Sequence, residues 1–126
     1  GNDLEKLQIP PHTEVYEIDG PYFFGIANKF DEISQHIGDE GQKVRILRMR
    51  KVSFMDSTGI HNLEQLYLRS QRCGMTLVLS GVNEHVFNTL EKAGLVQLIG
   101  KENIQGHING ALARAEELVT KKITQE

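Results

Sequence analysis

Two apolar runs limit what this chain can fold into. "KVRILRM" (43–49) carries Val44, Ile46, Leu47 and Met49, apolar on both parities, and "MTLVLSG" (75–81) is the clearest buried run in the chain. A half-exposed strand alternates between apolar and polar. A run apolar on both parities instead predicts a strand covered on both faces. Between the two, from Ser57 to about Arg72, Ile60, Leu63, Leu66 and Tyr67 recur at helical spacing, and Gly74 marks the stop. Strand, helix and strand in this order pair in parallel through a right-handed crossover.

The remaining segments extend the same alternation. "TEVYEID" (13–19) is rich in β-branched and aromatic residues and ends at the turn signal Gly20-Pro21. "YFFGI" (22–26) predicts a second short strand, hairpin-paired with the first. "ANKFDEISQHI" (27–37) spaces Ala27, Phe30, Ile33 and Ile37 as a helix, and Gly38 stops it. "NEHVFNTLEKAG" (83–94) predicts a helix with Val86, Leu90 and Ala93 inward. "LVQLIG" (95–100) predicts a short strand. A last helix, from about Asn103 to Lys121, carries Ile104, Ile108, Ala111, Leu112, Ala115, Leu118 and Val119 on one stripe. The predicted order is β-β-α-β-α-β-α-β-α, an α/β domain with a central mixed, mostly parallel sheet, an N-terminal hairpin and alternating helices. At 126 residues it holds a core without disulfide or metal.

Much chemistry is excluded at this level. The 14 Lys and Arg against 17 Asp and Glu give a net charge of −3, which argues against a broad nucleic-acid-binding surface. Cys73 is the sole cysteine, so no disulfide forms within the chain, and a reducing compartment fits. No apolar run approaches the ~20 residues needed to cross a bilayer. Neither GxxxxGK[ST] nor GxGxxG occurs, and the five histidines are scattered without a cysteine pair, so no cofactor or metal is expected. Ser57 and His61 lie four apart on one predicted helix, but GxSxG is missing and His61 reads as solvent-facing. No catalytic residue and no enzymatic activity are expected.

What stands out is the junction "MDSTG", where the strand side meets the helix. Asp56 or Ser57 can cap the helix by accepting a hydrogen bond from its first amides, and Gly59 permits close backbone approach. A cap needs one such residue, not the set Asp56, Ser57, Thr58 and Gly59. A helix amino terminus also presents unpaired N–H groups and about half a positive charge, which suits a phosphoryl group. Ser57 is the candidate phosphoacceptor, with Thr58 as runner-up. Adding about −1.5 to −2 charge there alters how a partner docks and leaves the fold intact. Arg45, Arg48, Arg50 and Lys51 place four cations in seven residues just before the junction. They read either as a solvated strand end or, for Arg48, Arg50 and Lys51, as a patch for an anion or an acidic partner.

Over residues 15–119 the order of elements, and the segment "VSFMDSTGIHNLEQLYLRSQRCGMTLVLSGV", resemble a STAS domain, the module shared by sulfate transporters and anti-sigma factor antagonists. The D-[ST]-[ST]-G signature at the start of the second predicted helix falls on Asp56, Ser57, Thr58 and Gly59. In the antagonist branch the residue after the aspartate is phosphorylated by the partner kinase, which by position is Ser57. "VYEIDGPYFFGIANKF" (15–30) and "RILRMRKVSFMDSTG" (45–59) are similar to the SulP transporter branch, with Tyr22 standing where leucine is usual.

The resemblance implies a STAS fold over 13–122, with 1–12 as linker or lead-in from a last membrane span and 123–126 as a tail. It implies a non-catalytic regulatory domain on the cytoplasmic side of the inner membrane, the C-terminal part of a SulP-type transporter for sulfate or a related anion. Its implied partners are the membrane domain of the same chain, a second protomer or a cytosolic regulatory protein. The alternative is a stand-alone anti-sigma factor antagonist switched at Ser57. Some members of the family have been proposed to bind nucleotides, and the helix start with its neighbouring arginines gives a physical route. No nucleic-acid partner is implied.

Overall fold

In a computed structural model of the chain, residues 8–21, 23 and 41–125 are described. Strands β1 (Thr13–Glu17), β2 (Val44–Arg48) and β3 (Thr76–Ser80) form a sheet in the order β1-β2-β3, every pairing parallel. The register places Val15 and Val78 on either side of Ile46, and Glu17 and Ser80 on either side of Arg48. All five residues of β2 are buried, as its two-parity pattern predicts for a middle strand. The predicted strand at 22–26 and helix at 27–37 lie outside the described residues, apart from Phe23, which is fully buried.

The two sheet faces have separate cores. On one, Leu47 and Met49 of the β2 side and Leu77 and Leu79 of β3 meet Leu63 and Leu66 of helix α1 (Ser57–Arg72), with Val86 and Leu90 of α2 (Glu84–Lys92). On the other, Val44, Ile46 and Val78 meet Ile108, Ala111, Ala115 and Val119 of α4 (Ile108–Gln125). Ala111 and Ala115 are wholly buried, and their small side chains let α4 lie close against the sheet. Arg45 points to the α1 face and is also wholly buried. Its guanidinium donates to Ser70 Oγ at 3.3 Å and to Glu14 Oε1 at 3.5 Å, which makes it a structural cation rather than part of a surface patch.

Two predictions are corrected. "LVQLIG" is not a strand: Leu95–Ile99 is the short helix α3, set between Gly94 (φ 81) and Gly100 (φ 102). Its buried residues Leu95, Val96 and Ile99 sit at helical spacing, with Leu98 exposed, but five residues are too few for that period to separate from an apolar strand. The last helix starts at Ile108, not near Asn103. Residues 101–103 form a 3₁₀ turn, and Ile104 makes an isolated parallel bridge to Leu79 of β3. The side of β3 away from β2 is met by Ile104 and Gln105, whose amide donates to Leu79 O at 2.8 Å. Among the described residues no helix is long and apolar enough to cross a membrane.

Candidate functional site

The junction after β2 is built as a cap. Asp56 has extended backbone (φ −100, ψ −173), and its Oδ1 accepts from the Gly59 amide at 2.9 Å, while its carbonyl accepts from Ile60 at 2.9 Å. One of the helix's otherwise unmatched amides is thereby satisfied. Asp56, Ser57 and Thr58 are exposed, whereas Gly59 is buried. The glycine has a steric cause: a Cβ there would stand 2.7 Å from the Phe23 carbonyl oxygen, a backbone atom. Ser53 ties the same loop to Pro21, its amide donating to Pro21 O at 2.9 Å. Glycine and serine thus fix the junction against the chain that follows β1. Phe54 is 45 % exposed just ahead of it and adds an apolar element to the same surface.

The cations predicted as an anion or partner patch are arranged around a carboxylate that the sequence reading passed over. Glu17, at the end of β1, receives Arg50 Nε at 3.3 Å and Nη2 at 3.1 Å, Lys51 Nζ at 3.3 Å and, more distantly, Arg48 Nη1 at 3.7 Å. Lys51 also donates to Asp19 at 3.1 Å. Burial alone would raise the Glu17 carboxyl, but hydrogen bonds from Arg50 and Lys51 outweigh it and hold its pKa below the ordinary value. For Arg48, burial first and the neighbouring Arg50 second lower the pKa, with Glu17 opposing them. Bonds from Asp19 and then Glu17 raise that of Lys51. What could have exposed Glu17 in advance is the parallel register that sets it beside Arg48, and no local sequence signal carries register.

The structure therefore separates the predicted site residues into two groups. Asp56 to Gly59 begin α1 on one side of the sheet. Arg48 points to the α4 face, as its parity with Val44 and Ile46 requires, and with Arg50 it lines a cleft at the start of α4. His61 is exposed on α1, as expected.

The family pattern for the STAS domain matches residues 6–111. The chain belongs to the STAS domain family. Among solved structures, a sulfate transporter family protein from Wolinella succinogenes is 38% identical with a TM-score of 0.85, the alignment covering 94% of this chain and 96% of that one. The SulP transporter STAS domain from Vibrio cholerae is 34% identical with a TM-score of 0.78, covering 94% and 89%. Sulfate transporter 3.2 of Arabidopsis thaliana is 29% identical over 113 residues, 81% of this chain but 18% of the transporter. The STAS chain spans only 15% to 18% of the length of the first curated relatives it matches.

Proposed function

We propose that this STAS domain is the cytoplasmic, C-terminal regulatory part of a SulP-type transporter for sulfate or a related anion. It acts by docking and not by catalysis. The observation that carries this reading is the pair of bacterial sulfate-transporter-family and SulP STAS relatives, matched at 34% to 38% identity over nearly their full length. The built junction supports a docking role. Asp56, Ser57 and Thr58 are presented to solvent by a helix start held rigidly from beneath, beside the exposed Phe54. The partner would be the membrane part of the same chain, a second protomer or a cytosolic regulator.

The test is deletion of residues 13–122 from the full-length protein, followed by labelled-sulfate uptake and a blot of the membrane fraction. Uptake should fall several-fold for the same amount of membrane-inserted chain. Unchanged uptake and assembly would dispose of the regulatory role.

A second reading is favoured by the exposed Ser57 hydroxyl at a helix amino terminus, which suits a phosphoryl group. Here the chain is a partner-switching antagonist phosphorylated at Ser57. Incubation with its cognate kinase and ATP should add one phosphate, lost in Ser57→Ala. A phosphate that survives the substitution moves the assignment to Thr58 or elsewhere.

A further inference from the structure

Away from the Asp56–Gly59 junction, on the opposite face of the sheet, the carboxyl ends of β2 and β3 carry two polar residues where the residues below them are apolar. Val44, Ile46 and Val78 pack under α4. One step further along the same parity come Arg48 and Ser80, which are register partners. They lie where α4 begins, at His107 and Ile108. A cleft of about 140 Å³ opens there, lined by Arg48, Arg50, Ser80, Gly81 and residues 106–108 at the start of α4 (Gly106, His107 and Ile108).

Ser80 is wholly buried, and among the described residues its Oγ has no hydrogen-bond partner. A buried hydroxyl left unmatched is costly and calls for an explanation. The surroundings are cationic. Arg48, Arg50 and Lys51 gather around the Glu17 carboxylate, and Lys51 also reaches Asp19. The 18-residue helix α4 directs its amino terminus at the same place and adds partial positive charge. His107 caps that helix through Nδ1, which accepts from the Asn109 amide at 3.1 Å. Its ring proton is therefore on Nε2, as a donor. Gly81 (φ 70) brings the β3–α2 loop hard against the β2–α1 loop: a Cβ there would lie 2.7 Å from Arg50 Cα. The rim is thus fixed in place.

We infer that this cleft is a binding site for a small tetrahedral oxyanion of the phosphate or sulfate type. The Ser80 hydroxyl, the Arg48 and Arg50 guanidiniums, the His107 ring N–H and the first amide of α4 are its donors. Size limits the ligand, because pockets for whole drug-sized molecules run to about 300–1,000 Å³. The site accepts a free oxyanion or the terminal phosphoryl group of a larger molecule whose remainder stays outside. Glu17 already occupies part of the cationic charge, so the affinity should be on the order of millimolar. The inference is independent of the transporter reading.

The test is a titration of the 126-residue chain with sodium sulfate, inorganic phosphate and ATP, each at constant ionic strength set with chloride, followed by amide NMR. Saturable shifts confined to Gly81, Gly106, His107 and Ile108 are expected with sulfate and phosphate. ATP producing the same shifts at lower concentration identifies the phosphoryl end of a nucleotide, whereas inorganic anions alone identify a free oxyanion. Ser80→Ala discards an unmatched hydroxyl, so it should fold at least as stably without anion and bind sulfate about five- to tenfold more weakly. Arg50→Gln, at an exposed position, should weaken binding by a similar factor. Shifts that track chloride equally, shifts centred on Asp56 to Gly59, or undiminished binding by Ser80→Ala would each overturn the assignment.

Discussion

At Gly59 the packing dictates one residue type, and the sign of its replacement turns on two opposed effects. Alanine is favoured over glycine in a helix by up to about 1 kcal/mol, which would stabilise α1. The added methyl, however, would sit 2.7 Å from the Phe23 carbonyl oxygen, a backbone atom that cannot swing aside. Overpacking of this kind costs about 1–3 kcal/mol. Gly59→Ala should therefore lower stability by about 1–2 kcal/mol in urea denaturation, and a variant as stable as the parent would mean the two segments are not pressed together. The sequence showed the glycine and suggested a close approach. The residue it approaches, Phe23, is more than thirty positions earlier, so only the folded chain names it. The cap at Asp56 was legible because it is local, the acceptor lying three residues from its donor. Glu17 was not, because its partners are about 31–34 residues further along the chain.

Among the elements, those read correctly carry long periodic patterns or continuous apolar runs. Helix α1 begins at Ser57 and ends at Arg72 as the spacing predicts, and β2 and β3 fall inside their apolar runs. The failures cluster in residues 95–107, where segments of three to five residues leave too little sequence for a period, and the two glycines at positive φ serve a helix as readily as a turn. Asn83 shows how such a short-range landscape is held. Its Oδ1 caps α2 by accepting from Val86 at 2.7 Å, while its Nδ2 donates to the Val52 carbonyl in the β2–α1 loop at 3.1 Å. One side chain thus satisfies a helix amide and ties together the two loops at the carboxyl edge of the sheet. Asn83→Ala removes both bonds, and the expected loss is about 1–3 kcal/mol. Hydrogen exchange should quicken at the Val86 amide first. A loss below about 0.5 kcal/mol would mean that water replaces the side chain without penalty.

At the scale of the whole molecule, Glu17, Asp19, Arg48, Arg50 and Lys51 form one charged cluster where β1 and β2 end, and this makes global stability depend on pH in a definite sense. Glu17 joins β1 to the cations at and after the end of β2, so its ionisation bears on whether β1 stays paired with β2. Its folded-state pKa lies below the ordinary 4.5, the donors Arg50 and Lys51 outweighing the effect of burial. A carboxyl depressed in this way binds its proton more readily in the unfolded chain than in the folded one. Its contribution is complete above the ordinary value and is lost as pH falls through the lower folded value. Lys51 works in the opposite direction: its pKa is raised above 10.5, so its share persists through neutral pH and disappears only as pH rises past that raised value. Neutral solution is therefore the plateau. Glu17→Gln should lower Tm at neutral pH, and the gap from the parent should close as pH falls from about 5 toward 2, since below the folded-state value both chains carry a neutral side chain there. Thermal melts of the two chains across that interval decide the matter. A gap that stays constant with pH would assign Glu17 a packing role, and a gap that widens toward acid would reverse the sign of its interaction with Arg50 and Lys51.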